Sequence, residues 1–192
     1  SDGKMIFIGS STGGVEALIS ILTAFPANCP PTLVTQHMPP VFTRNLAVRL
    51  DKMCAPEVME ATIGAALRPG TVYIAPGGEL HLEVAGRSTF ACALKTGGPV
   101  NGHCPSIDRL FSSAARSLGP RAVGVLLTGM GRDGAQGLLE IRQAGGRTIA
   151  QDEATSIVYG MPKAAVELGA VEVQHPITRI GHALIEATSA RT

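Results

Sequence analysis

At 192 residues the chain suits a single domain that buries roughly 70% of its unfolded surface; 45% of its residues are hydrophobic and only 16% charged, below the usual quarter. The formal net charge of +1, with no Lys/Arg cluster and no aromatic-studded basic stripe, argues against nucleic acid as a partner. No apolar run approaches the roughly 18 residues that span a bilayer, which argues against membrane insertion and for a soluble, cytoplasmic protein.

Taken in order, the first apolar run is 5–8 (MIFI), too short for the core of a signal peptide. It passes through Gly9-Ser10-Ser11-Thr12-Gly13-Gly14 into a helical stretch at about 14–24. A strand is expected at 32–36, followed by a helix at 43–53. The middle differs: the runs 71–75, 79–84 and 89–94 are short, alternating and punctuated by "RPG", "PGG" and "GR", which predicts antiparallel hairpin structure. Then come a helix at about 106–117, a strand at 122–127, a glycine-rich loop, a helix at 134–144 and a strand at 147–150. The chain closes with a helix at 161–168, a strand at 171–174 and a helix at about 178–189. Continuous Val/Ile/Leu runs alternating with helices imply an α/β fold: a doubly wound, mostly parallel sheet with an antiparallel hairpin segment, in a single domain. Cys29, Cys54, Cys92 and Cys104 show neither C-x-x-C pairing nor His at zinc-finger spacing, and are expected to be buried, reduced thiols.

Ligands of such a sheet bind beyond the carboxyl ends of its strands, so the strand ends decide where chemistry is sought. Strand one ends in Ser10-Ser11 and strand two in His37; strand 122–127 leads to Asp133 in "TGMGRDG". Strand 147–150 runs on to Asp152, and 171–174 to His175.

Gly9-Ser10-Ser11-Thr12-Gly13 matches G-x-S-x-G in strand–turn–helix context, the signature of a nucleophile on a sharp turn. Ser11, with glycine two residues away on each side, suits that role better than Ser10. The competing reading is a phosphate loop in a non-enzymatic nucleotide- or phosphate-binding module. Neither dinucleotide nor P-loop glycine spacing fits, and no acid lies between Glu16 and Asp51 to hold a ribose.

His37, in "LVTQHMPP", lies one strand–helix–strand unit after Ser11, so a right-handed crossover sets both over one rim. Asp133 suits either a helix N-cap or a carboxylate that orients an imidazole, and Gly129, Gly131 and Gly134 mark a loop with unusual angles or close approaches. Spacing alone leaves His37 against His175, and Asp133 against Asp152, undecided. His81, His103 and His182 are read as structural or exposed.

Together, "IGSSTGG", "TQHMPP", "YIAPGG", "PSIDRLFSSAA", "LLTGMGRDGAQGL" and "IVYGMPKAAVELGA" resemble, over essentially the whole chain, the catalytic domain of the chemotaxis protein-glutamate methylesterase family, CheB. The resemblance implies a serine hydrolase acting on glutamate methyl esters of chemoreceptor cytoplasmic helices, with deamidation of receptor glutamines as a related activity. It assigns Ser11 as nucleophile, His37 as base and Asp133 as the third member. The Met130 N–H falls in the oxyanion hole, with Thr12 N–H as the expected second donor. No metal or organic cofactor is implied. The expected geometry puts Ser11 Oγ within reach of His37 Nε2.

Two departures are visible. The family loop usually has alanine where this chain has Ser10. Family members commonly carry a phosphorylated receiver domain, for which residues 1–192 leave no room; the chain is expected to be the methylesterase catalytic domain alone, and its regulation is not readable here.

Overall fold

The structure, a computed structural model, describes residues 3–189. Seven strands form one parallel sheet in the order β3-β4-β2-β1-β7-β8-β9: β1 Met5–Ser10, β2 Thr32–Gln36, β3 Glu57–Glu60, β4 Thr71–Ile74, β7 Ala122–Leu126, β8 Arg147–Gln151 and β9 Val173–His175. The remaining two strands, β5 His81–Gly86 and β6 Phe90–Lys95, pair antiparallel as a separate ribbon. The helices are α1 Gly14–Leu22, α2 Pro40–Met53, α3 Ile107–Leu118, α4 Ala135–Gln143, α5 Met161–Glu167 and α6 Ile177–Ser189.

The central strands lack polar alternation because both their faces are covered. Ile6 and Ile8 of β1, with Val123 and Val125 of β7, pack under α1, α2 and α6. Met5 and Phe7, with Leu33 and Leu126, pack under α3, α4 and the β5–β6 ribbon. Each such side chain, fully buried, contributes about 1.5–3 kcal/mol, so a polar residue on either face would be costly. Among the described residues no helix is long and apolar enough to cross a membrane.

Two expectations need correction, and one strand has no counterpart among them. The run at 71–75 is not hairpin but β4, which pairs in parallel with β2 and β3. Its alternation in sequence misleads because Thr71, Val72, Tyr73 and Ile74 are all buried: the Tyr73 hydroxyl donates to the Ala66 carbonyl at 2.8 Å and so can lie inside. Strand β3, "EVME", went unread because an edge strand with two glutamates has no apolar run to announce it. And the cysteines, all free thiols, are buried only at Cys29 and Cys92; Cys54 and Cys104 are half-buried. Burial pushes the Cys92 thiol up to about 12.

The chain winds from β1 outward through β2 to β3 and β4, then returns to lay β7 on β1's other flank before proceeding to β8 and β9. Connections therefore part company at β1 and β7, and in an open α/β sheet that switch point is where a crevice opens beyond the strand ends.

Candidate active site

At the switch point the loop after β1 is tied to the loop after β7. The Ser11 N–H donates to the Thr128 carbonyl at 3.0 Å, and the Thr128 hydroxyl donates to the Thr12 carbonyl at 2.9 Å. Gly13, at φ 82°, is the N-cap of α1, a left-handed position where a side chain would be strained. Gly9 is needed for space: a Cβ there would come within 2.3 Å of Ile107, which wedges the first turn of α3 against the end of β1. Within the loop the Gly14 N–H turns back onto the Ser11 carbonyl at 2.7 Å. With Ser11 and Gly14 both donating inward, the loop is poorly furnished as a phosphate cradle. The Thr12 and Met130 amides, by contrast, donate to no group among the described residues.

The extra hydroxyl of Ser10 is fully buried and donates to Gln36 Oε1. Gln36 Nε2 in turn donates to the Ser11 carbonyl at 2.9 Å. Ser10 thus braces the turn from below and presents nothing at the rim.

His37 follows directly on β2. In the register of the β1–β2 pair Ser10 faces Gln36, and the His37 N–H donates to the Ser10 carbonyl at 3.1 Å, which sets residue 37 beside the serine turn. Across the rim His37 Nε2 meets Asp133 Oδ2 at 2.7 Å. Both side chains are withdrawn from solvent, at 8% and 0% exposure. The imidazole is thus turned end for end relative to the expectation: Nε2 is taken by Asp133, while Nδ1 is buried without a partner.

Asp133 is placed by other elements than its own. The following helix α4 is capped by Gly134, while Asp133 reaches the N-terminus of α3. Its Oδ2 accepts from the Ile107 N–H at 2.7 Å; its Oδ1 accepts from the Ser106 hydroxyl at 2.8 Å, the Asp108 N–H at 3.1 Å and Asn101 Nδ2 at 3.2 Å. Burial pushes the carboxyl pKa up, but the hydrogen bonds from His37, Ile107, Asp108 and Ser106, aided by the positive end of α3, outweigh it and hold it below the ordinary carboxylate value. An ionised Asp133 accepts and cannot donate, so the proton of a neutral His37 sits on Nε2 and the lone pair on Nδ1. That leaves the ring one defined atom able to accept a proton.

Asp108 returns the favour, accepting from the N–H groups of Gly134 at 3.1 Å and Gly137 at 2.7 Å at the start of α4. Its own pKa is raised, chiefly by burial and further by the neighbouring Asp133 charge, against the lowering effect of its hydrogen bonds.

The other rim candidates stay apart. Asp152 Oδ1 accepts from the N–H and hydroxyl of Thr155 at 3.1 and 2.6 Å, closing a local turn. His175 ends β9, at the sheet's edge, with β7 and β8 between it and β1. His81 is structural: its Nδ1 accepts from the Ser106 N–H at 2.9 Å and its Nε2 meets the Gly98 carbonyl at 2.7 Å. His182 is exposed on α6.

Sequence reasoning missed the support behind the pair. Ser106, Asn101 and Asp108 hold Asp133 or its helix, and His103, set aside as structural or exposed, stacks on His37 with ring centroids 3.7 Å apart and planes within 9°. The legible signals were Asn101-Gly102, a hairpin-turn dipeptide, and Ser106 as an N-cap at the head of an apolar-periodic helix.

The comparisons agree with this architecture. The family model "CheB methylesterase" matches residues 6–184. A protein-glutamate methylesterase/protein-glutamine glutaminase of Agrobacterium fabrum is 60% identical over 188 residues, covering 98% of this chain and 54% of that protein. A Caulobacter vibrioides protein of the same name, numbered 1, is 56% identical over 189 residues, covering 98% and 55%. The crystal structure of the Thermotoga maritima CheB methylesterase catalytic domain superposes with a TM-score of 0.92 at 40% identity, covering 96% of this chain and 98% of that one. The chain spans about half the length of the curated relatives it matches.

Proposed function

We propose a hydrolytic function for this chain on one premise: it belongs to the CheB methylesterase family. Its reaction is the removal of methyl groups from glutamate methyl esters on the cytoplasmic helices of chemoreceptors, giving glutamate and methanol. Deamidation of receptor glutamines is the same acyl chemistry with ammonia leaving in place of methanol. The location that goes with this substrate is the cytoplasm. A receiver domain, as carried by longer members of the family, is the regulatory partner.

The observation that carries the reading is the 2.7 Å contact of His37 Nε2 with Asp133, which leaves Nδ1 as the free basic atom of a residue whose main chain is bonded to the serine turn. Ser11 Oγ attacks the ester carbonyl while His37 Nδ1 takes its proton. The tetrahedral oxyanion is held by the N–H groups of Met130 and Thr12; one such donor is typically worth roughly 3–4 kcal/mol. The imidazolium, steadied by Asp133, returns the proton to the leaving methoxide. Water, activated by the same nitrogen, then releases glutamate from Ser11. The order Ser…His…Asp along the chain is a further arrangement of a constellation known on unrelated folds.

The test is methanol release from methylated receptor by wild type and Ser11→Ala, with labelling by a serine-directed phosphonate. We expect release and covalent labelling in wild type and neither in the variant; because Ser10 is buried and engaged with Gln36, the label should map to Ser11 alone. Near-wild-type release by Ser11→Ala would remove the nucleophile. Stabilisation by nucleotides with no labelling would favour the binding-module reading instead.

A further inference from the structure

Between the β5–β6 ribbon and α3 the chain makes a four-residue turn, Val100-Asn101-Gly102-His103. The Val100 N–H donates to the His103 carbonyl at 2.9 Å and the His103 N–H to the Val100 carbonyl at 3.0 Å, closing a two-residue hairpin. Its central residues have φ of 54° at Asn101 and 79° at Gly102, the left-handed pair such a turn demands. A Cβ on Gly102 would meet nothing, so that glycine is there for its backbone angle.

This turn touches both members of the histidine–aspartate pair. His103 lies flat on the His37 ring, centroids 3.7 Å apart and planes within 9°. Asn101 Nδ2 donates to Asp133 Oδ1 at 3.2 Å and to Asp108 Oδ2 at 2.7 Å. Without the turn, His37 is held by one ring nitrogen alone, and a single hydrogen bond leaves the ring free to tip about it, because the terminal side-chain torsion of histidine is soft. A parallel ring at stacking distance removes that freedom.

His103 itself is held below the ordinary imidazole range, by its burial first and by His37 second, with Asp133 pulling the other way. A neutral ring that presents its face offers no lone pair for proton transfer. Its action on His37 is therefore through shape.

We propose that the Val100–His103 turn is a positioning clamp on the His37–Asp133 pair, His103 fixing the plane of the ring and Asn101 seating the carboxylate. The proposal rests on the reading of His37 as the base. His103 is a positioning residue; it acts on the reaction through His37.

The experiment measures hydrolysis of a small activated aryl ester, and the rate of phosphonate labelling, for wild type, His103→Ala, His103→Phe and Asn101→Gly, with melting temperatures alongside. His103→Ala should lower kcat about tenfold or more, short of the hundredfold that a 1 Å misplacement costs, with KM within about twofold. His103→Phe, which keeps a flat ring and loses the nitrogens, should recover kcat to within about threefold of wild type. Asn101→Gly, which keeps the turn's backbone and loses the amide, should fall a few-fold in kcat at unchanged KM. If His103→Ala does not fold, His103→Leu replaces it, with the same loss expected.

A folded His103→Ala with wild-type kcat overturns the clamp, and so does a His103→Phe no faster than alanine. A wild-type protein that neither cleaves the ester nor labels at Ser11 overturns the hydrolase reading itself, so the two failures are told apart.

Discussion

At the centre of the sheet's carboxyl rim, His37 and Asp133 meet side chain to side chain at 2.7 Å; at its β8–β9 edge, Asp152 and His175 meet only through the main chain, the Asp152 N–H on the His175 carbonyl at 3.0 Å. Both places have an acid and an imidazole after parallel strands. At the edge the acid is used by its own turn, through Thr155. At the centre the turn that carries Asp133 leaves it free, and groups from Asn101, Ser106 and the head of α3 converge on it instead. An acid satisfied locally is structure; one satisfied by a segment 25 to 32 positions away in the chain is aimed, and what it is aimed at is the ring of His37.

The widest gap between the two regions should appear on removing the proposed nucleophile or the imidazole. Ser11→Ala and His37→Gln should each lower ester hydrolysis by about 10⁴-fold or more, and the double variant should be scarcely worse than either, because parts of one machine are not additive. His175→Gln should stay within about twofold of wild type, as a group outside that machine. Steady-state kinetics on one ester decide it, and a comparable loss at His175 would break the comparison.

The acids come next. Asp133→Asn should cost about 10³–10⁴-fold in kcat, since an amide cannot fix the tautomer that bares Nδ1. Asp152→Ala should leave kcat alone and cost about 0.5–2 kcal/mol of stability, the usual price of a lost side-chain cap. An inert Asp133→Asn would mean that its only duty is at the N-terminus of α3.

Glycines sharpen the contrast further. A Cβ on Gly129 would stand 2.6 Å from the Ser11 Cβ and 2.4 Å from the Met161 methyl, so Gly129→Ala should displace the serine turn and cost up to about a hundredfold in kcat. Gly169, which precedes the β9 edge at φ 75°, has open space around it. Gly169→Ala should cost about 1–2 kcal/mol of backbone strain, read as a lowered melting temperature, with kcat unchanged.

How much of this was legible follows the same division. Strand ends and loop glycines put Ser11, His37 and Asp133 on one rim together with Asp152 and His175, and only the family resemblance chose among them, because strand order, crossover hand and close approaches leave traces in a linear pattern and side-chain pairing does not. The parallel β4 was hidden because Tyr73 buries its hydroxyl by bonding Ala66, an arrangement that no local pattern announces. The orientation of the His37 ring depends on where Asp133 arrives, and Asp133 is steered by residues 25 to 32 positions away. His103 lies 66 positions from the ring it covers; a stack of that kind is decided only when the ribbon and α3 are packed. The centre of a site is written in motifs; its bracing is written in packing.

The smallest expected effect separates two carboxylates within the central region, Asp133 facing the ring and Asp108 behind it. The Asp133 pKa lies below its ordinary value of 3.8, so the folded state prefers the ionised form; its stabilisation is complete above that value and is lost as pH falls through the folded-state pKa. Asp108 lies above 3.8, so the folded state prefers the protonated form, and stability declines as pH rises from 3.8 through the raised value. Urea midpoints measured across the acid range should therefore move in opposite senses. Asp133→Asn should flatten the loss of stability on the acid side, and Asp108→Asn should gain on wild type as the pH is raised. If both variants tilted the curve the same way, the two acids would share one environment, and the separation between an aimed carboxylate and a capping one would fail at the place where the chain brings them closest.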